Sequence, residues 1–95
     1  MKAVLVISER DNVATALEPL DAGREVRAGA ASVVAVEAIP RGHKLAVRAI
    51  RAGEAVVKYG SPIGTASADI AAGAHVHTHN VASTRGRGDL ASRSR

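Results

Sequence analysis

One spacing recurs four times in this chain and limits what it can fold into. Leu20-Asp21-Ala22-Gly23-Arg24-Glu25-Val26 has the form aliphatic, two residues, glycine, two residues, aliphatic. The same frame returns as Ile39–Gly42–Leu45, Ile50–Gly53–Val56 and Ile70–Gly73–Val76. Its physical reading is a strand end, a tight turn whose glycine takes positive φ, and the start of the next strand. One such unit is an ordinary hairpin signal. Four within 95 residues predict a mainly β domain made by repeated folding back. The intervals between frames are irregular, which excludes a solenoid of fixed period.

The core such strands can build is restricted. The chain has no Phe, no Trp and one Tyr, so Val, Ile, Leu and Ala must supply the buried surface. A domain this small with so few large side chains has reason to present a surface to a partner, either a second copy of itself or another chain. Strands are predicted at residues 3–8, 31–37, 44–49 and 54–59, with a turn cluster at Gly60-Ser61-Pro62-Ile63-Gly64. Asp11 stands where a helix N-cap would be. Val13, Ala16, Leu17 and Leu20 follow at helical spacing, so one short helix is expected near the N-terminus. Residues 1–84 read as one domain and 85–95 as a flexible basic tail.

Charge and cysteine usage exclude several function classes. The net charge of +4 suggests nucleic acid until it is located. The tail carries four arginines against one aspartate, whereas residues 1–84 hold nine basic and eight acidic side chains. That nearly neutral body lacks aromatic platforms, which disfavours nucleic-acid binding. Without cysteine there are no disulfides and no thiolate metal sites. The apolar run Ala3–Ile7 is too short for a signal sequence or a membrane span, so a cytoplasmic protein is the default expectation.

Three of the four histidines fall within His75-Val76-His77-Thr78-His79-Asn80. In an extended strand His75, His77 and His79 would share one face. Same-face neighbours lie about 6.5–7 Å apart, so two of them can meet on one metal and the third is left over. His77 and His79 are the candidate ligands for a divalent metal (Fe2+, Mn2+ or Zn2+), and His75 the candidate for proton transfer. Further ligands must come from elsewhere; the bland alternative is a polar strand face with incidental histidines. His43 and Lys44 directly follow the turn glycine Gly42, where a base or a carboxylate anchor could sit. Lys58, Asn80, Arg85 and Arg87 are the candidate substrate contacts, the two arginines being suited to bidentate carboxylate binding.

Taken together, Ile39-Pro40-x-Gly42-His43-Lys44, Lys58-Tyr59-Gly60-x-Pro62-Ile63-Gly64, Asp69-Ile70-x-x-Gly73-x-His75-Val76-His77-x-His79-Asn80 and Arg85-Gly86-Arg87-Gly88-Asp89 resemble one family. It is the SAF (β-clip) family, in the form found as the amino-terminal domain of altronate and galactarate dehydratases; the small subunit of sulfolactate sulfo-lyase is similar. The resemblance covers about residues 3 to 90. It implies a compact β-clip and a lyase subunit, inactive alone, whose active site is completed by a large catalytic subunit. The implied substrate is a small sugar acid, with sulfolactate as the alternative. A carbohydrate-binding module without catalysis is a further reading of an SAF domain, and an appendage-assembly chaperone a weaker one.

Overall fold

A computed structural model describes residues 3–83. Nine short strands follow one another: β1 (Val4–Leu5), β2 (Val13–Ala16), β3 (Glu25–Ala28), β4 (Ala31–Val34), β5 (Lys44–Ala46), β6 (Ala55–Lys58), β7 (Ser61–Ala66), β8 (His75–Val76) and β9 (Val81–Ser83). They pair antiparallel in three sheets, ordered β1-β2-β5-β8, β3-β4 and β6-β7-β9. The mainly β expectation holds. Among the described residues no helix is long and apolar enough to cross a membrane.

Each repeated frame is a turn of the expected kind. Gly23, Gly42, Gly53 and Gly73 have φ between 84° and 92°. In each turn the residue after the glycine donates its N–H to the carbonyl three residues back, as in His43 to Pro40 at 3.0 Å. That is a type II turn, which needs positive φ at its third position. The frames also pair with one another. Leu20 bridges Ile39 and Ile50 bridges Ile70, each through two reciprocal N–H···O bonds.

An alanine four residues ahead of each frame extends the pattern. Gly42 N–H donates to Ala16 O at 2.8 Å and Ala16 N–H to His43 O at 2.8 Å. Gly23 and Arg24 do the same with Ala35, Gly53 and Glu54 with Ala66, and Gly73 and Ala74 with Ala46. All four alanines are buried. A larger side chain would hold the partner turn away. The first two frames thus form one pseudo-twofold pair and the last two another. Each pair has its own core: Leu20, Val26, Ile39 and Leu45 lie in one, and Ile50, Val56, Ile70 and Val76 in the other.

The expected short helix does not form. Residues 13–16 are β2, a central strand flanked by β1 and β5. Val13, Ala14 and Ala16 are all buried, so both faces of the segment are covered, whereas a helix would have left one side to solvent. Leu17, placed on the apolar stripe of that helix, is exposed. Asp11 does cap, but it caps loops. Its Oδ2 accepts the N–H groups of Ile7 and Ser8, and its Oδ1 that of Gly60 at 2.7 Å.

Other boundaries shift for local reasons. The strand expected over 3–8 ends at Leu5, because the loop after it turns back to Asp11. The strands expected over 31–37, 44–49 and 54–59 are shorter, as β4, β5 and β6. Gly60–Gly64 is not a turn cluster. Only Tyr59-Gly60 turn, and Ser61–Ala66 run as β7. A bulge between Val56 and Val57 absorbs the irregularity, with Asn12 filling it: its Oδ1 accepts Val57 N–H and its Nδ2 donates to Ala55 O. The basic tail expected at 85–95 lies outside the described residues.

Candidate functional site

The frames place the histidines. His43 is the last residue of the second frame's turn and Lys44 opens β5. β8 lies beside β5 with His75 opposite Leu45 and Val76 opposite Lys44. A turn of the first pair of frames thereby meets the strand that leaves a turn of the second pair.

The expected single row of three imidazoles is not what forms, because β8 ends at Val76. Beyond it the chain curls, with Asn80 N–H donating to His77 O at 3.1 Å. Asn80 clamps the curl from both ends of its amide, accepting His77 N–H at 3.0 Å and donating to His75 O at 2.9 Å. Side-chain alternation applies only while the backbone stays extended. Bending brings His77 over His43, with ring centroids 4.0 Å apart and planes 16° from parallel. His43 Nδ1 and His75 Nε2 are 2.8 Å apart, a hydrogen bond in which one of the two rings carries the proton. His79 lies at the edge, its ring 5.2 Å from that of His75 and tilted by 37°.

The structure therefore brings His43, His75 and His77 together, their ligand nitrogens all within 4.8 Å of one another. In a four-coordinate site with metal–nitrogen bonds of about 2.0–2.1 Å, ligand nitrogens sit about 3.3 Å apart. The His43–His75 pair is already inside that separation, and a modest closing of His77 would complete three ligands. The donor set fits a borderline divalent cation. Its chemical state fits as well, since a ligating imidazole must be neutral. Loss of solvent lowers the pKa of His75, and the neighbouring His43, His79 and His77 add to this, while Glu37 opposes it. His77 is lowered by the same loss of solvent, then by His43, Lys44 and His79.

Around the imidazoles stand groups of two kinds. Lys44 lines a pocket of about 200 Å3 with Ile63, His77, Thr78 and Val81. Burial lowers the pKa of Lys44, and the charge of Lys58 lowers it further. Glu37 is the residue that composition and spacing did not reveal: its Oε2 accepts the backbone N–H of His75 at 3.0 Å. It reaches the site because Val36 N–H donates to Gly73 O at 3.0 Å, tying the end of β4 to the fourth frame's turn. The place of His43 in the cluster is equally hidden, although its position beside Gly42 carries a signal once the frames are seen to pair. Asn80, a candidate substrate contact, has its amide engaged within its own loop. Arg85 and Arg87 lie outside the described residues.

The described residues thus form a small antiparallel β domain in which turns of the two pairs of frames bring three imidazoles together. The chain belongs to the altronate/galactarate dehydratase SAF domain family, whose model matches residues 2–84. It is 42% identical over 81 residues to an altronate dehydratase of Bacillus subtilis, covering 85% of this chain and 16% of that protein. It is 53% identical over 71 residues to an altronate dehydratase of Escherichia coli, covering 75% and 14% respectively. The (2R)-sulfolactate sulfo-lyase subunit alpha of Paracoccus pantotrophus is 49% identical over 47 residues, which are 50% of this chain and 70% of that subunit. The chain thus spans less than a fifth of the dehydratases it matches.

Proposed function

We propose that this domain forms one wall of the active site of a metal-dependent hydro-lyase acting on a hexonate-type sugar acid, completed by a larger lyase polypeptide. The observation that carries the reading is the convergence of His43, His75 and His77 from two separate turns, in a member of this family. These three imidazoles hold a divalent metal, Fe2+, Mn2+ or Zn2+. When bound, such an ion supplies Lewis-acid stabilisation of the negative charge that develops beside a carboxylate as the α proton leaves. Lys44, half-buried beside His77 and with its pKa lowered, is suited to move a proton at the pocket mouth. His79, outside the trio, keeps imidazole nitrogens available for the same work.

Two features support the need for a larger partner. Among the described residues the possible metal ligands that group together are three imidazoles, with no carboxylate in the group, and the dehydratases to which the chain is similar are several times longer than the matched segment. The alternative substrate is sulfolactate, because identity to the sulfo-lyase alpha subunit is as high as to the dehydratases. The test is reconstitution with a large lyase polypeptide and an assay of 2-keto-3-deoxy acid formation from altronate and galactarate, with sulfite release from sulfolactate in parallel. Activity should require the domain and fall at least a hundredfold with His77→Ala. Full activity without the domain, or with His77→Ala, refutes the proposal.

A further inference from the structure

The hydrogen bond between His43 and His75 has one proton and two rings to carry it, and a residue outside the imidazole group bears on which does. His75 gives Nε2, the ring nitrogen further from its backbone, to His43 Nδ1 at 2.8 Å. Its Nδ1, the nitrogen nearer the backbone, is not part of that bond. Glu37 meets His75 at the backbone. The Glu37 Oε2 accepts the His75 main-chain N–H at 3.0 Å, and Oε1 has no hydrogen-bond partner among the described residues. Glu37 is also the acidic residue whose charge reaches the His75 ring.

The Glu37 side chain is exposed, so its bond competes with water, but its backbone has little freedom. On one side Ala35 N–H donates to Arg24 O at 2.8 Å and Val36 N–H to Gly73 O at 3.0 Å. On the other, Ile39 and Leu20 exchange both N–H···O bonds, at 2.8 and 2.9 Å. The segment lies against the turn that leads to His75 because Gly73 has no β carbon, which would fall on the Val34 carbonyl. Among the described residues the ion pair that forms joins Arg24 to Glu18, and Glu37 takes no part in it. A carboxylate brought to a histidine and not spent on a cation is an acceptor for that histidine. Which ring nitrogen carries the proton is set by the hydrogen bond that nitrogen finds.

We propose that Glu37 is a positioning residue for His75: Oε2 holds the backbone N–H while Oε1 accepts Nδ1–H, which fixes the neutral ring with its proton on Nδ1. Nε2 is then the lone pair. In the metal-free chain the proton of the His43–His75 bond therefore belongs to His43 Nδ1. The same arrangement makes Nε2 the atom by which His75 ligates a cation. For His43 Nδ1 to ligate beside it, the His43 proton passes through water to its own Nε2, and no proton is released. The assignment of the proton stands without a metal; the consequence for ligation rests on the proposed function.

The experiment is nitrogen NMR of the full chain with isotope-labelled histidine, first in chelator and at a pH where the imidazoles are neutral. Long-range proton–nitrogen couplings read, ring by ring, which nitrogen carries the proton. A freely solvated histidine carries it mainly on Nε2, so the Nδ1–H majority expected at His75 and His43 requires a cause. Glu37→Gln keeps an oxygen for the backbone N–H and turns an amide donor toward Nδ1. His75 should then change to Nε2–H while the thermal midpoint stays, a response that a merely structural glutamate would not give. His79→Ala, which removes the ring at the edge of the group, should leave the native pattern. An Nε2–H majority at native His75, or an Nδ1–H majority that survives Glu37→Gln or is lost in His79→Ala, overturns the assignment. In a second arm Zn2+ is titrated in competition with a chromophoric chelator, and Glu37→Gln should weaken its binding about ten- to a hundredfold. Unchanged affinity in that variant overturns the role of Glu37 in ligation. Absence of Zn2+ binding by the native chain would refute the metal of the proposed function and leave the proton assignment to the first arm, which decides it.

Discussion

The four frame glycines offer a comparison in which backbone conformation is constant and surroundings differ. Gly53 (φ 90°) and Gly73 (φ 86°) occupy the same place in their turns. A β carbon on Gly53 would meet nothing within 4 Å. One on Gly73 would fall on the carbonyl oxygen of Val34, far inside van der Waals contact, and 2.9 Å from the Val34 carbonyl carbon. Gly53→Ala therefore bears only left-handed strain of about 1–2 kcal/mol, partly offset by a less flexible unfolded chain, for a net loss of about 1 kcal/mol. Gly73→Ala bears the same and must also push β4 away. That breaks the Val36–Gly73 hydrogen bond and strains the one from Gly73 N–H to Ala46 O. At about 1 kcal/mol for each bond, the loss rises to about 3 kcal/mol or more. For a domain of this size the thermal midpoint should fall by about 4–8 °C for Gly53→Ala and by more than about 12 °C for Gly73→Ala. Urea unfolding of the two variants measures the difference directly. Equal losses would mean that the fourth turn does not pack on β4, and the route by which Glu37 reaches His75 would fall with it.

The buried Asp11 makes an acid-dependent contribution. Burial favours its neutral form, but the backbone N–H groups of Gly60, Ser8, Tyr59 and Ile7 together hold its pKa below the ordinary value of 3.8. A carboxyl with a lower pKa in the folded state stabilises the fold above the unfolded value, and this stabilisation is lost as pH falls through the lowered one. The urea midpoint should therefore drop below about pH 4 in the native chain, and Asp11→Asn should be weaker at pH 7 and lack that part of the drop. Addition of Zn2+ at a hundredfold excess over its dissociation constant should stabilise the domain by about 2.7 kcal/mol in thermal unfolding, reversed by chelator. His43→Ala, His75→Ala or His77→Ala should each abolish the shift and His79→Ala should keep it; a shift lost in His79→Ala and kept in His43→Ala would place the ligands elsewhere.

The frames were legible because a type II turn leaves a local mark, a glycine at a fixed distance from the aliphatic residues that flank it. Their pairing was not. Any two of four similar frames satisfy the same local pattern, and the small Ala16, Ala35, Ala46 and Ala66, being alike, mark that a turn approaches but not which one. Alanine is too common to be read that way in a single sequence. The misplaced helix has a related cause. Val13, Ala16, Leu17 and Leu20 match helical spacing, and an aspartate ahead of them matches a cap. What decides against the helix is non-local: β1 and β5 on either side of the segment, and a Gly60 amide distant in sequence that claims the Asp11 carboxylate. The clustering of the histidines is visible in the sequence, whereas the bend between them is not. Asn80, which bends it, looks in sequence like one more polar residue.

The position of the imidazoles between the two halves has a physical consequence. His43 belongs to a turn of the first pair of frames, and His75 and His77 follow a turn of the second. β5 joins the halves, its Leu45 in one core and its neighbour Ala46 in the other. A cation held by all three imidazoles therefore opposes separation of the two cores, beyond ordering a loop. Hydrogen exchange can tell these apart. Zn2+ should slow exchange at Val36 N–H, bonded to Gly73 O, because this bond runs from the first half to the fourth frame's turn and breaks when the halves part. The β3–β4 hairpin bonds, which lie wholly within the first half, should show a smaller change. Protection confined to residues 77–80 would mean that the cation orders the histidine curl alone, and the two halves would then be joined by β5 pairing without help from the site.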